Sequence, residues 1–442
     1  MVNILHTILD PYILGGFLLY AITLMVLCIY FWRHRNFLAS LMLVYFIFCS
    51  TIIINAYIFN INLITPDAEY VFLPSAQKVI NFLDQGLFSA ILDYGKLRDL
   101  NLNIPFYTIP LGTVLFFFQG SFIAGHLFST IFGILIIYQL YHITFFLYDK
   151  RTAQFAALLW TASPFFNWIS ILIMRDTFGL FLILWFFRLW QLYEIKGDSK
   201  YLYLILFNFM CNLLLRPPMA VVLFTTVISY RIFGIQSNKS IFFRILKFAG
   251  ISVLAALILF KILSGMIDTD SLLLKGLKYA ELETINKRAA ESFEAGSTYL
   301  EVGMYKSYTD LLKYWPLLIF YFLCSPLPWQ IKKPRHAFAL IDSTVLWFLY
   351  GLFLFEIWQF KKRNNKWGVI FLSYLLLGIS SASLLQGNVG GAQRHRILFT
   401  AIMIPFAAHR LLVILDKSGI FDSFKMIFQQ NLFLGNKGKF SA

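Results

Sequence analysis

Apolar residues run in long blocks along this chain, with polar positions confined to short gaps between them. Blocks of about 20 residues, long enough to cross a bilayer, occupy roughly 12–31, 37–59, 121–147, 240–263, 340–360, 368–386 and 397–415. None alternates with the period of a strand, so each is predicted to be a helix apolar on all sides. Three further stretches are interrupted. Residues 104–119 are short and carry Pro105 and Pro110, residues 152–195 form two helices broken near Met174-Arg175-Asp176, and residues 201–233 form two helices broken at Arg216-Pro217-Pro218. Residues 311–328 fit either a full or a partial span. The pattern predicts an all-α, polytopic transmembrane bundle of about 11–13 helices filling residues 1–416. No internal repeat is evident, and so the inverted-repeat signature of many transporters is missing.

Two polar stretches interrupt the blocks, at 60–105 and 264–311. The second holds eight acidic residues, from Asp268 to Asp310, and has helical character around Leu272–Glu294. Both are expected to be small extramembrane helical loops. The tail, 417–442, places Ile420, Phe421, Phe424, Ile427 and Phe428 on one helical face near Lys417 and Lys425, which suggests an interfacial helix on the cytoplasmic leaflet.

Composition agrees. Hydrophobic residues make up 59% and charged residues 13%, against about 25% charged in soluble domains, and the mean hydropathy is +0.71. The polar surface that a soluble globule of this length needs is missing. The net charge of +15 sits in clusters between apolar blocks: Arg33-His34-Arg35, Lys150-Arg151, Lys332-Lys333 with Arg335, and Lys361-Lys362-Arg363. That spacing marks topology by the positive-inside rule rather than a nucleic-acid surface. It puts 60–105, the breaks at Arg175 and Arg216, 264–311 and 387–396 on the outer face. Two segments fit this parity poorly: 104–119 has to be re-entrant or else pair differently, and Lys332–Arg335 sits awkwardly. Cys28, Cys49, Cys211 and Cys324 lie in apolar segments without metal-ligand spacing and are expected to be small buried hydrophobes. The first block lacks a small-residue cleavage site and is read as a retained span.

Four constellations could carry chemistry. Asp67-Ala68-Glu69-Tyr70 opens the first polar stretch. Two acids so spaced can act as a general base or hold a divalent cation, and Asp67 can equally be the N-cap of a surface helix over Val71–Leu83. Arg175-Asp176 is either an ionisable pair facing a cavity or a local pair in a turn. Arg216-Pro217-Pro218 breaks a long apolar stretch, where a guanidinium can grip phosphate or snorkel to the interface. Gly387 to Arg396 opens a helix with Arg394 and Arg396, which oppose the positive helix end unless an anion or a lipid headgroup lies between them. P-loop, Rossmann, HExxH and nucleophile-elbow patterns do not occur, which argues against ATP-driven or NAD-linked chemistry.

The order of these features resembles the GT-C superfamily of polytopic glycosyltransferases, in the branch of the protein O-mannosyltransferases and the lipid A aminoarabinose transferase. The resemblance runs through Asp67-Ala68-Glu69-Tyr70…Ala76…Gly86, the Pro-rich Asn103–Pro110 segment ending at Gln119-Gly120-Ser121, the small-residue helix Gly125–Gly133 with His126, Ala153–Pro164, Arg175-Asp176, Arg216-Pro217 and Arg394-His395-Arg396…Pro405. It covers roughly 60–235 and 385–410. The chain departs in having His126 where the family often has Arg, an extra helix before the first loop, and no His-Pro-Pro form of the second motif. The resemblance implies an inverting transfer from a polyprenyl-phosphate sugar to a glycan, lipid or protein acceptor outside the cytoplasmic membrane. It makes Asp67 the expected base, with Glu69 the alternative. Arg216 and Arg394 are the expected donor-phosphate ligands with Arg175 and Arg396 in support, and Tyr70, Asp176, His126 and His395 are expected around them. No particular cofactor is implied, and a divalent cation is compatible. A surface-polysaccharide polymerase or ligase, and a transporter or lipid-linked sugar flippase, are the competing readings.

Overall fold

The computed structural model describes residues 11–34, 36–84, 86, 100, 102–233, 286–287, 306–331, 334–362 and 366–418. The expected span at 240–263, most of the 264–311 loop and the expected tail helix lie outside these residues. The described residues form fourteen α-helices and no strand: α1 (Pro11–His34), α2 (Phe37–Ile58), α3 (Leu73–Leu83), α4 (Pro105–Phe117), α5 (Phe122–Leu147), α6 (Lys150–Ala162), α7 (Pro164–Ile171), α8 (Arg175–Lys196), α9 (Ser199–Leu215), α10 (Pro217–Phe233), α11 (Tyr308–Cys324), α12 (Pro334–Lys362), α13 (Lys366–Leu385) and α14 (Val389–Lys417). A π-helical turn, Ala68–Phe72, leads into α3. Among the described residues seven helices are long and apolar enough to cross a membrane, and four shorter apolar ones accompany them. The protein is an all-α, multi-pass membrane bundle.

Polar side chains start these apolar helices. Asn36, Asp149, Ser163, Asp198, Ser307 and Asn388 each accept a backbone N–H of the first turn, at 2.9, 2.9, 3.4, 3.0, 3.2 and 2.6 Å. Each removes one orphan donor that would be costly against lipid. Along α1, Leu14, Leu18, Ile22, Met25 and Ile29 repeat at three- and four-residue spacing and are all exposed, as a lipid-facing stripe has to be. α14 lies at the centre, packed against α12, α6, α8, α13 and α11. Its Phe399 and Phe406 are fully buried.

Side-chain contacts fix the helix directions. Gly15 of α1 lies against Phe118, and Gly16 against Ser121 and Ile123 at the start of α5, so α1 and α5 run in parallel. Gln191 of α8 reaches the Ile143 carbonyl of α5. Arg396, Thr400 and His409 of α14 meet Ser343, Tyr350 and Glu356 of α12 in order, so these two are also parallel. The basic helix ends around Arg33, Lys150, Lys196, Lys362 and Lys417 therefore gather at one end of the bundle. Arg151 and Asp416 form a two-point ion pair there, at 3.0 and 2.8 Å. Asp67, Asp176, Arg216 and Arg394 all lie at the opposite end.

One expectation changes, and two stretches with open alternatives take one of them. Residues 152–195 contain a second break at Ser163-Pro164, because Ser163 caps a new helix that Pro164 begins. α4, with Pro110 inside it, does not cross: it begins beside Ser75 (Asn103 N–H to Ser75 Oγ, 3.2 Å) and ends beside Gly15, both at the Asp67 end. α11 is a partial span. Its Trp315 donates to Ser380, near the Asp67 end of α13, while the Leu323 carbonyl lies deeper, against Arg396. α12 then begins with Pro334 at the Asp67 end, opposite the basic helix ends.

A two-carboxylate, arginine-rich candidate site

Three breaks in helix build the site. Leu172 to Met174 are buried and non-helical between α7 and α8, so Asp176 falls in the first turn of α8. There the helix dipole favours an anion. Arg216 closes α9 in an extended conformation, φ −148° and ψ 81°; the following proline disfavours the helical region for it. Its carbonyl accepts from Met219 and Ala220 as α10 begins. This corner lays the Arg216 side chain along α8 and onto Asp176 Oδ1, to which Nη2 donates. Gly179, one turn beyond Asp176, makes room: a Cβ there would stand 3.2 Å from Arg216 Nε and 3.4 Å from its Cδ.

The other oxygen of Asp176 accepts from Arg394 Nη2 at 3.2 Å, and Arg394 Nη1 meets Asp67 Oδ2 at 2.6 Å. Arg216 Nη1 stands 3.3 Å from His395 Nδ1. A guanidinium can only donate, so this ring nitrogen accepts and the imidazole proton sits on Nε2. Arg175 donates to the Leu215 carbonyl at 3.4 Å, beside the same corner. Residues from four separate segments thus form one chain of contacts, Asp67–Arg394–Asp176–Arg216–His395.

Exposure divides the chain in two. The side chains of Asp176 and Arg216 are 0% and 7% exposed, whereas those of Arg394 and Asp67 are 29% and 43% exposed. The inner pair is buried and the outer pair is partly exposed. Arg175, Arg216 and Arg394 outnumber the two carboxylates. The Nε atoms of Arg216 and Arg394 are buried without an acceptor. Both features suit an anion.

Asp67 does not act as a helix cap. Its backbone is helical and its side chain makes no cap bond; Thr65 Oγ1 takes the Ala68 N–H instead, at 3.2 Å. Glu69 and Tyr70 lie on the exposed face of the π turn. His126 stands apart from the cluster. It is buried, with Nδ1 2.6 Å from the Ile171 carbonyl at the end of α7, and so helps hold the break before Arg175. Arg396 points elsewhere too. It is fully buried and donates to the Leu323 carbonyl (3.0 Å), the Ser325 carbonyl (2.6 Å) and Ser343 Oγ (2.9 Å). Its charge answers the negative end of α11. Two residues apart on a helix is about 200° of rotation, so Arg394 and Arg396 could not both face one site. Sequence reasoning missed Gly179 and Thr65, and it also missed Asp342, which accepts from Ser163 Oγ at 3.1 Å and supports the α6–α7 break. Among the described residues no three His, Cys, Asp or Glu side chains are grouped as a metal site.

Residues 104–264 match the family model described as dolichyl-phosphate-mannose-protein mannosyltransferase. The match takes in α4 to α10, with Asp176 and Arg216, and bears out the resemblance to the GT-C glycosyltransferases. An archaeal oligosaccharyltransferase, AglB from Archaeoglobus fulgidus, solved with an inhibitory peptide and a dolichol-phosphate, aligns with a TM-score of 0.44 and 14% identity. The alignment covers 93% of this chain and 53% of that one, so the chain spans about half the length of that structure. No curated relative matches the chain.

Proposed function

We propose that this protein is a glycosyltransferase that moves a sugar from a polyprenyl-phosphate donor to an acceptor hydroxyl, with inversion, at the Asp67 end of the bundle. The observation that carries the reading is the sharing of Arg394 between a buried carboxylate and an exposed one, beside a second buried arginine. The family match over α4 to α10 supports the class of reaction.

Asp67 takes the proton from the acceptor hydroxyl, and the oxygen attacks the anomeric carbon from the face opposite the phosphate. The bond from that carbon to the phosphate oxygen breaks, and its electron pair leaves with the polyprenyl phosphate. Arg394, Arg216 and Arg175 offset the charge that develops on the leaving group. Asp176 touches neither substrate; it orients both guanidinium groups. By the positive-inside rule the basic end faces the cytoplasm, which puts transfer on the extracytoplasmic face of the cytoplasmic membrane. The acceptor is a glycan, a lipid or a protein there.

Membranes containing the protein are incubated with radiolabelled polyprenyl-phosphate sugars, and label in polar product is counted. Transfer is expected in the parent and is expected to be lost in Asp67→Asn at equal expression, since the amide keeps the shape and removes the base. Near-normal turnover in that variant would overturn the assignment of Asp67.

A further inference from the structure

We infer that Asp67 and the donor phosphate compete for the same guanidinium edge of Arg394, so that the resting ion pair is a latch that donor binding opens, releasing the base. The inference rests on the glycosyltransferase reading and adds an order of events to it.

The two partners of Arg394 are not equivalent. Asp176 is fully buried, lies on the long helix α8 and is also held by Arg216. It cannot leave without stranding two cations. Asp67 is nearly half exposed and lies just ahead of a five-residue π turn. Such a turn is a short, locally irregular element of a kind frequent at functional sites. The chain before it, 61–65, is non-helical. The backbone of this corner is held by the bonds from Ala68 N–H to Thr65 Oγ1 and from Glu69 N–H to the Thr65 carbonyl (2.9 Å) and by the buried Ala68 and Phe72, the latter against Tyr107, while the Asp67 side chain is held by Arg394. Asp67 is thus the partner that can yield.

A phosphate is the anion that displaces it. It offers several oxygens to a planar fork of donors, where a carboxylate engaged through one oxygen uses a single position. The Arg394 Nε–H, buried and without an acceptor, is donor capacity that Asp67 does not use. Displacement also serves the chemistry. In the resting pair Oδ2 of Asp67 is committed to the guanidinium at 2.6 Å. Once phosphate holds Arg394, both oxygens of Asp67 are free to take a proton, and they remain next to the donor because the π turn is tethered at Thr65. Base and donor are therefore assembled by one event, with donor binding ahead of acceptor deprotonation.

The test is equilibrium binding of undecaprenyl phosphate to the purified full chain in detergent micelles, with undecaprenol as the uncharged reference. Asp67→Asn, inactive in transfer, is expected to bind the phosphate more tightly than the parent, by roughly threefold or more. Glu69→Gln removes the same charge two residues away and is expected to change affinity much less, which separates competition from general repulsion. In an Arg394→Ala background the gain from Asp67→Asn is expected to vanish, because nothing remains to compete for. Equal or weaker binding by Asp67→Asn overturns the latch, as does an equal gain in Glu69→Gln or a gain that persists without Arg394; in each case the glycosyltransferase reading stands. If neither the parent nor Asp67→Asn prefers the phosphate to the alcohol, the phosphate reading falls and the latch falls with it.

Discussion

One guanidinium joins two carboxylates here, yet removing either charge should have very different consequences. Asp176→Asn keeps shape and one acceptor oxygen but deletes the charge. Arg216, 7% exposed, is then left buried without a counter-charge, beside the amide and the His395 ring. Breaking a buried ion pair from one side costs roughly 3–5 kcal/mol; the amide oxygen still accepts one bond, so about 3 kcal/mol is the expected loss. Asp67→Asn breaks a pair whose members are 43% and 29% exposed, and such pairs contribute about 1 kcal/mol or less. The assay is thermal unfolding of both variants in one detergent, followed by tryptophan fluorescence and by the fraction still soluble after heating. Asp176→Asn should melt several degrees below the parent, while Asp67→Asn should stay close to it and be inactive. A double variant, Asp176→Asn with Arg216→Met, should recover much of the loss, since a buried pair replaced by neutral groups is often tolerated. If Asp176→Asn melts with the parent, or if Asp67→Asn is the less stable of the two, the division into a structural inner pair and a functional outer pair is wrong.

Gly179→Ala should leave the melting temperature nearly unchanged, because about 1 kcal/mol of helix propensity offsets the crowding of Arg216. The same variant should weaken binding of polyprenyl phosphate by roughly threefold, because Arg216 is pinned at both ends and cannot shift freely; unchanged affinity would remove Gly179 as a positioning residue. Arg396→Met should be unstable, since it strands the Leu323 and Ser325 carbonyls. The protein that survives should bind polyprenyl phosphate as the parent does, and a selective loss of binding at normal stability would restore Arg396 to the donor site. Ser297→Cys should react with a membrane-impermeant thiol reagent in intact cells, while reaction only after permeabilisation would reverse the sidedness argued from the basic clusters.

The apolar blocks were legible because a helix surrounded by lipid and by other helices has no polar face to obscure it. The breaks at Arg175-Asp176 and Arg216-Pro217 were legible for a related reason: charge and proline are both out of place in an apolar run. The partners of those charges were not. Arg394 meets Asp176 across 218 positions, and no local pattern encodes such a contact. Arg396 could have been set aside from geometry alone, given its two-residue offset from Arg394, but its partners on α11 and α12 could not have been named. The same holds for α11: its composition fits a full or a partial span, and only the contacts of Trp315 and Leu323 show that it stops part-way. Asp67 looked like a cap because acids often are, while the actual cap, Thr65, stands two residues earlier.

The dead end of α11 sets a timetable for assembly. Ser325 leaves the ribosome 71 residues ahead of Arg396, the cation that receives its carbonyl. At roughly 5–20 residues per second, the partial helix spends several seconds without the partner that satisfies its buried terminus, and α12 and α13 are made in that interval. During that time the segment has to be held in water or against the insertion machinery. Its docking waits for α14, which is both the centre of the described helices and the element that satisfies the end of α11.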